Sequence, residues 1–161
     1  MKKALWIAGG LSAIVIVFLV RFMAINLIKG NSLDKESKSY LDNVIPNICK
    51  SWSMDSLLKY SVPETKQVSV KKEFNELFET FKIQLGPMVE YRGSKGDATI
   101  DYTNGKITIT AKYTSRIIFE KDSAKVKSIL ANRDNQWFIY NINVYSPALT
   151  AKNRSTAKTT F

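Results

Sequence analysis

KITITAKYTSRIIFE, residues Lys106–Glu120, alternates along its whole length. Ile107, Ile109, Ala111, Tyr113, Ser115, Ile117 and Phe119 fall on one side, and Thr108, Thr110, Lys112, Thr114 and Arg116 on the other. A period of two marks a strand with one dry face and one wet face, the pattern of an antiparallel sheet with a single covered side. Just before it, Asn104-Gly105 supplies two residues that accept positive φ, the signal of a tight hairpin. Met88–Arg92 and Ala98–Tyr102 read as strand pieces around Gly93-Ser94-Lys95-Gly96. After Lys121-Asp122, the residues Ala124, Val126, Ser128 and Leu130 form a second inward row. Asp134-Asn135 turns the chain again into the last strand, Gln136–Tyr145.

Upstream the period changes to that of helices. Phe74, Leu77, Phe78, Phe81 and Leu85 make one apolar stripe that Gly86-Pro87 stops. Ser53 is placed to cap a short helix carrying Leu57 and Leu58. Leu33, Tyr40, Leu41, Val44, Ile45 and Ile48 suggest an earlier helix, which Pro46 is expected to kink or interrupt. Helices followed by a run of strands indicate an α+β domain, here three helices packed on one face of an antiparallel sheet of about four strands.

Ahead of this domain, Ala4–Val20 is uncharged and Phe22–Ile28 continues largely apolar after Arg21. A helix of that length rises about 26 Å, or more if extended, against a hydrocarbon core of about 30 Å. The expectation is a cytoplasmic end and transmembrane anchor over residues 1–29, a domain over 30–146, and a disordered tail over 147–161. A cleaved secretory signal is the alternative, but the apolar run is long for one and lacks a small-residue cleavage site. Lys2 and Lys3 favour a cytoplasmic N-terminus with the domain outside, a single-pass arrangement in a bacterial inner membrane. The partners that follow are the lipid bilayer and a protein of the envelope. Small residues at Ala4, Ala8 and Ser12 leave a homo-oligomer open.

The net charge of +10 arises largely at the ends. Setting aside Lys2, Lys3, Arg21, Lys29, Lys152, Arg154 and Lys158 leaves 17 basic residues against 14 acidic ones. Nothing in that balance calls for a nucleic acid partner. There is no histidine, and Cys49 is the only cysteine, so the commonest general base and the thiolate metal sites are missing. No metal and no cofactor is expected.

The order of elements resembles the cone-shaped nuclear-transport-factor-like superfamily, also called SnoaL-like or cystatin-like, over roughly Leu33–Ser146. The patterns that carry the resemblance are Ser51-Trp52 before Leu57-Leu58, the Phe74–Leu85 helix ending in Gly86-Pro87, and the closing Asn135-Gln136-Trp137-Phe138-Ile139. The resemblance implies a curved sheet wrapped around a long helix, with a pocket at the open end. It specifies no activity, because that superfamily includes isomerases, dehydratases and non-enzymatic modules. Asp101 and Tyr102, adjacent in one strand, point to opposite faces and cannot act together. Tyr113, Ser115 and Ser128 on the inward rows, with Asn141 and Asn143 beside Trp137 and Ile139, are the candidate pocket lining. That lining has hydroxyls and amides but no base, so no catalytic residue is expected, and it suits ligand binding. The expected function is an envelope binding or interaction module without catalytic activity. A structural subunit of a secretion or envelope complex is the alternative, and a SnoaL-like isomerase or dehydratase ranks below both.

Overall fold

The computed structural model describes residues 31–67 and 71–150. Helix α1 occupies residues 31–51, α2 is Met54–Tyr60 and α3 is Lys71–Leu85, with a 3-10 turn at Pro63–Gln67. Four antiparallel strands follow in the order β1-β2-β3-β4: Met88–Thr103, Lys106–Phe119, Ser123–Arg133 and Gln136–Tyr145. The chain is helical again at 147–150, inside the stretch expected to be disordered; residues 151–161 lie outside the described residues.

Turn chemistry sets the meander. Asn104 and Gly105 both have positive φ, and Thr103 faces Lys106 across a two-residue loop. Asp134 and Asn135 do the same between Arg133 and Gln136. Both fit the primed turns whose twist matches a right-handed sheet. The Gly93–Gly96 stretch, read as a break, is instead inside β1. A register shift between Tyr91 and Ser94 absorbs the irregularity and pairing resumes at Ser94 with Ser115. Gly96 sits so close to β2 that a Cβ there would lie 1.9 Å from the Lys112 carbonyl oxygen. No side chain fits at that position.

The buried face of β2 is the expected one at Ala111, Tyr113, Ser115, Ile117 and Phe119, joined by Ala124, Val126, Ser128 and Leu130 of β3. Helix α1 is fastened across this face. Its buried residues Ser37, Leu41, Val44, Ile45, Ile48 and Cys49 recur at helical spacing, while Lys35, Lys38, Asn43, Asn47 and Lys50 stay exposed. The helix runs through Pro46 without a break in its assignment.

Two expectations are corrected here. First, the three helices do not pack as a set on the sheet. Polar ties join α1 to β1 and β2, whereas the backbone neighbour of α3 is α2. The stripe of α3 enters the interior through Phe78 and Phe81, which meet the ring of Trp52. Ser61, just past α2, bridges Ile139 at the β4 edge. Second, no helix among the described residues is long and apolar enough to cross a membrane. Helix α1 is amphipathic, with charges along its outer side, as fits a helix lying on a core. The expected span at 1–29 lies outside the described residues. With no spanning helix in the described fold, the single-pass inner-membrane placement, with a cytoplasmic N-terminus and an extracytoplasmic domain, is withdrawn.

Candidate functional site

The five residues expected to line a pocket do not share one. Tyr113, Ser115 and Ser128 face the interior and are buried. Asn141 and Asn143 are exposed, and the Asn143 amide donates to Asn141 Oδ1 at 2.5 Å. The cause is a bulge. Ile129 faces Asn141, yet its neighbour Leu130 faces Ile139, so Tyr140 is an extra residue in β4. One inserted residue reverses the alternation. Trp137 and Ile139 point inward before it, and Ile142 and Val144 after it, where they pack against the core.

Tyr113 and Ser115 belong to a polar seam that holds α1 on the sheet. Tyr113 Oη lies 2.9 Å from Ser37 Oγ and donates to the Asp34 carbonyl at 3.2 Å. The Asp34 carboxylate accepts the Ala98 amide at 2.6 Å. Asp42 Oδ1 accepts from Tyr91 Oη at 2.6 Å and from Ser94 Oγ at 2.5 Å, and Tyr91 Oη also reaches Ser115 Oγ at 3.4 Å. Burial pushes the Asp42 carboxyl up, but the hydrogen bonds from Lys38, Ser94 and Tyr91 outweigh it and leave the pKa below the ordinary value. Burial, with Asp42 as hydrogen-bond acceptor, raises the Tyr91 phenol to about 12. Tyr113 is raised too, by burial first and then by the charges of Asp34 and Asp97. Neither phenol gives up its proton near neutrality. The seam is a fastening.

Ser128 is different: its buried hydroxyl has no partner among the described residues, and the same holds for the indole N–H groups of Trp52 and Trp137. Trp52 also carries a backbone anomaly. It ends α1 by donating its amide to the Ile48 carbonyl at 2.8 Å, with φ at 38°. Such a left-handed end ordinarily takes glycine, and a β-carbon there costs about 1–2 kcal/mol. Rings hold it in place. The Trp52 centroid lies 4.9 Å from that of Phe81, 5.9 Å from Phe119 and 6.0 Å from Phe78. Ser53 follows and caps α2 through the Ser56 amide at 3.2 Å, as expected from the sequence.

Next to this cluster is a cleft of about 290 Å³. Trp52, Phe74, Phe78 and Phe81 line one side of it, and Ile142 and Val144 the other. None of its lining residues titrates; Thr80 and Asn143 are the polar ones. Groups of three or more His, Cys, Asp or Glu suited to a metal are absent among the described residues. The arrangement can enclose an apolar body, and none of the residues lining it can move a proton. In the sequence Trp52 stands out only as part of the Ser51-Trp52 pair before Leu57-Leu58, and nothing there points to the cleft. The one local signal is a bulky ring between two serines at the end of α1, where the positive φ would ordinarily call for glycine.

No protein-family model, curated protein or solved structure matches the chain. The likeness to the nuclear-transport-factor-like superfamily therefore rests on the sequence patterns alone.

Proposed function

We propose that the chain is a non-catalytic binding module whose cleft between α3 and β4 takes a small apolar molecule bearing one hydrogen-bond acceptor. The observation that carries this reading is Trp52: a residue lining the apolar cleft, on a strained backbone, whose buried indole N–H has no acceptor among the described residues. Strain and unmet hydrogen bonding persist where other contacts over-determine them, and they collect at sites of ligand contact. The volume is at the lower end for ligand pockets. It suits a single substituted ring or a short branched chain. A lining without titratable groups favours binding over acid–base chemistry.

The test compares acetophenone with cumene, a near-isosteric pair differing in the carbonyl oxygen, by isothermal titration calorimetry on the full chain. The ketone binds more tightly by about fivefold, the worth of one hydrogen bond of about 1 kcal/mol. Trp52→Phe removes that difference while cumene still binds. Val144→Trp fills the cleft and abolishes both. Failure of the wild-type chain to bind either compound, or binding that survives Val144→Trp, rejects the reading.

A further inference from the structure

The sheet has a second side. Strands β2, β3 and β4 contain Lys106, Lys112, Arg116, Lys125, Lys127 and Arg133, and no aspartate or glutamate. The alternation that buries Tyr113, Ser115, Val126 and Ser128 turns Lys112, Arg116, Lys125 and Lys127 outward, and all four are exposed. Arg116 and Lys125 are direct cross-strand partners. Like charges facing each other across a ladder are destabilising unless something else neutralises them. The ion pairs among the described residues are Lys38–Asp42, Lys82–Glu79, Arg92–Glu90 and Arg133–Glu64, so none serves Arg116 or Lys125.

These two cations share a cleft. It has a volume of about 780 Å³ and is lined by Arg92, Arg116, Lys125 and Tyr145, with Ile118 and Pro147 as apolar members. The turn that contributes Ser146 and Pro147 is pinned to Asp122, between β2 and β3. Ser146 Oγ and the Ala148 amide, the latter at 2.8 Å, both donate to Asp122 Oδ2. These hydrogen bonds keep the Asp122 carboxyl below its ordinary pKa, the Ser146 hydroxyl contributing most. The feature is therefore a walled recess with cations around an apolar patch, more than a scatter of lysines on a flat surface.

We propose that this recess docks an acidic peptide segment of a partner protein, with carboxylates on Arg116 and Lys125 and an apolar side chain against Ile118 and Pro147. Arginine forks match carboxylates in bidentate geometry, and the neutralised pair relieves the Arg116–Lys125 repulsion. A single-stranded polynucleotide fits less well. It needs successive aromatic platforms for its bases, whereas this recess has the one ring of Tyr145, and the Lys127 ammonium already lies 5.1 Å from that ring centroid. The proposal uses none of the residues of the apolar cleft, so either reading can fail without the other.

The test is fluorescence anisotropy on the full chain with a labelled peptide of alternating glutamate and leucine. An oligothymidylate and phosphatidylserine vesicles run in parallel. The peptide binds saturably, and raising salt from low to well above physiological strength weakens it about tenfold, as expected for exposed charges. Arg116→Ser with Lys125→Ser weakens it by about tenfold or more. Lys35→Ser with Lys50→Ser, an equal loss of charge on the exposed side of α1, changes it less than about twofold. Far-ultraviolet circular dichroism checks that both double variants fold. The proposal is overturned if the peptide does not bind, if the two double variants weaken it equally, or if the oligothymidylate or the vesicles bind more tightly.

Discussion

Replacing Asp42 separates a charge that fastens α1 to the sheet from a mere hydrogen-bond acceptor. In Asp42→Ala the buried Ser94 hydroxyl loses its acceptor, and an unmet buried donor costs about 1–3 kcal/mol. Tyr91 is less affected, because Ser115 Oγ lies 3.4 Å away and takes over in part, so its loss is about 1 kcal/mol. The Lys38 pair at 2.5 Å is partly exposed and contributes no more than about 0.5 kcal/mol. Together these predict a destabilisation of about 3 kcal/mol, or about 10 °C in Tm for a domain of this size. Asp42→Asn keeps an acceptor at Oδ1 and should cost about 1 kcal/mol. The pH dependence has a definite sign. Since the folded-state pKa lies below the ordinary value, the Asp42 contribution is complete above that value. It is lost as pH falls through the lowered pKa, and the Asp42→Asn variant lacks this acid-side component. Urea unfolding followed by circular dichroism, at neutral pH and at acid pH, measures all three quantities. Equal losses in the alanine and asparagine variants would show that charge dominates and refute the accounting. A loss below about 1 kcal/mol for Asp42→Ala would show that the seam does not fasten α1.

Two further outcomes follow from close packing. Gly96→Ala should destabilise by more than about 3 kcal/mol in the same urea assay, because the new methyl meets the Lys112 carbonyl oxygen and the Tyr113 Cα on β2, both backbone atoms. The Cys49 thiol, on the buried face of α1, has its pKa pushed up by burial. It should react with a disulfide-exchange reagent only at the rate of unfolding at neutral pH, and promptly in denaturant, as absorbance of the released chromophore would record.

Much of the fold was legible because its signals are local. The Phe74–Leu85 stripe and the Gly86-Pro87 stop lie within α3 and the two residues after it, and Gly86 has the positive φ expected of that position. The hairpin at Asn104-Gly105 needs no distant partner. The inward rows of β2 and β3 are as the alternation predicts from Ala111 to Leu130. The candidate site was less legible. Of its five residues, three are buried where the sequence places them, but two of these, Tyr113 and Ser115, are engaged by Ser37, Asp34 and Tyr91, from elements distant in the chain. Pro46 is expected to kink or interrupt the first helix, yet α1 continues through it, because the face with Leu41, Val44, Ile45 and Ile48 is buried on both sides of the proline and outweighs one missing backbone donor.

The alternation of β2 and β3, the capping serine of α2, the stripe of α3 and the turn residues were set by the sequence by itself, since each depends on neighbours a few positions away. Tertiary structure alone decided the bulge at Tyr140, which put Asn141 and Asn143 outside and Ile142 and Val144 inside. A bulge is a mismatch between two facing strands, and no single strand contains it. It likewise decided the apolar cleft beside Trp52 and the cationic recess on the far side of the sheet. Both are built from segments that meet only when the chain is folded, and their chemistry belongs to the meeting.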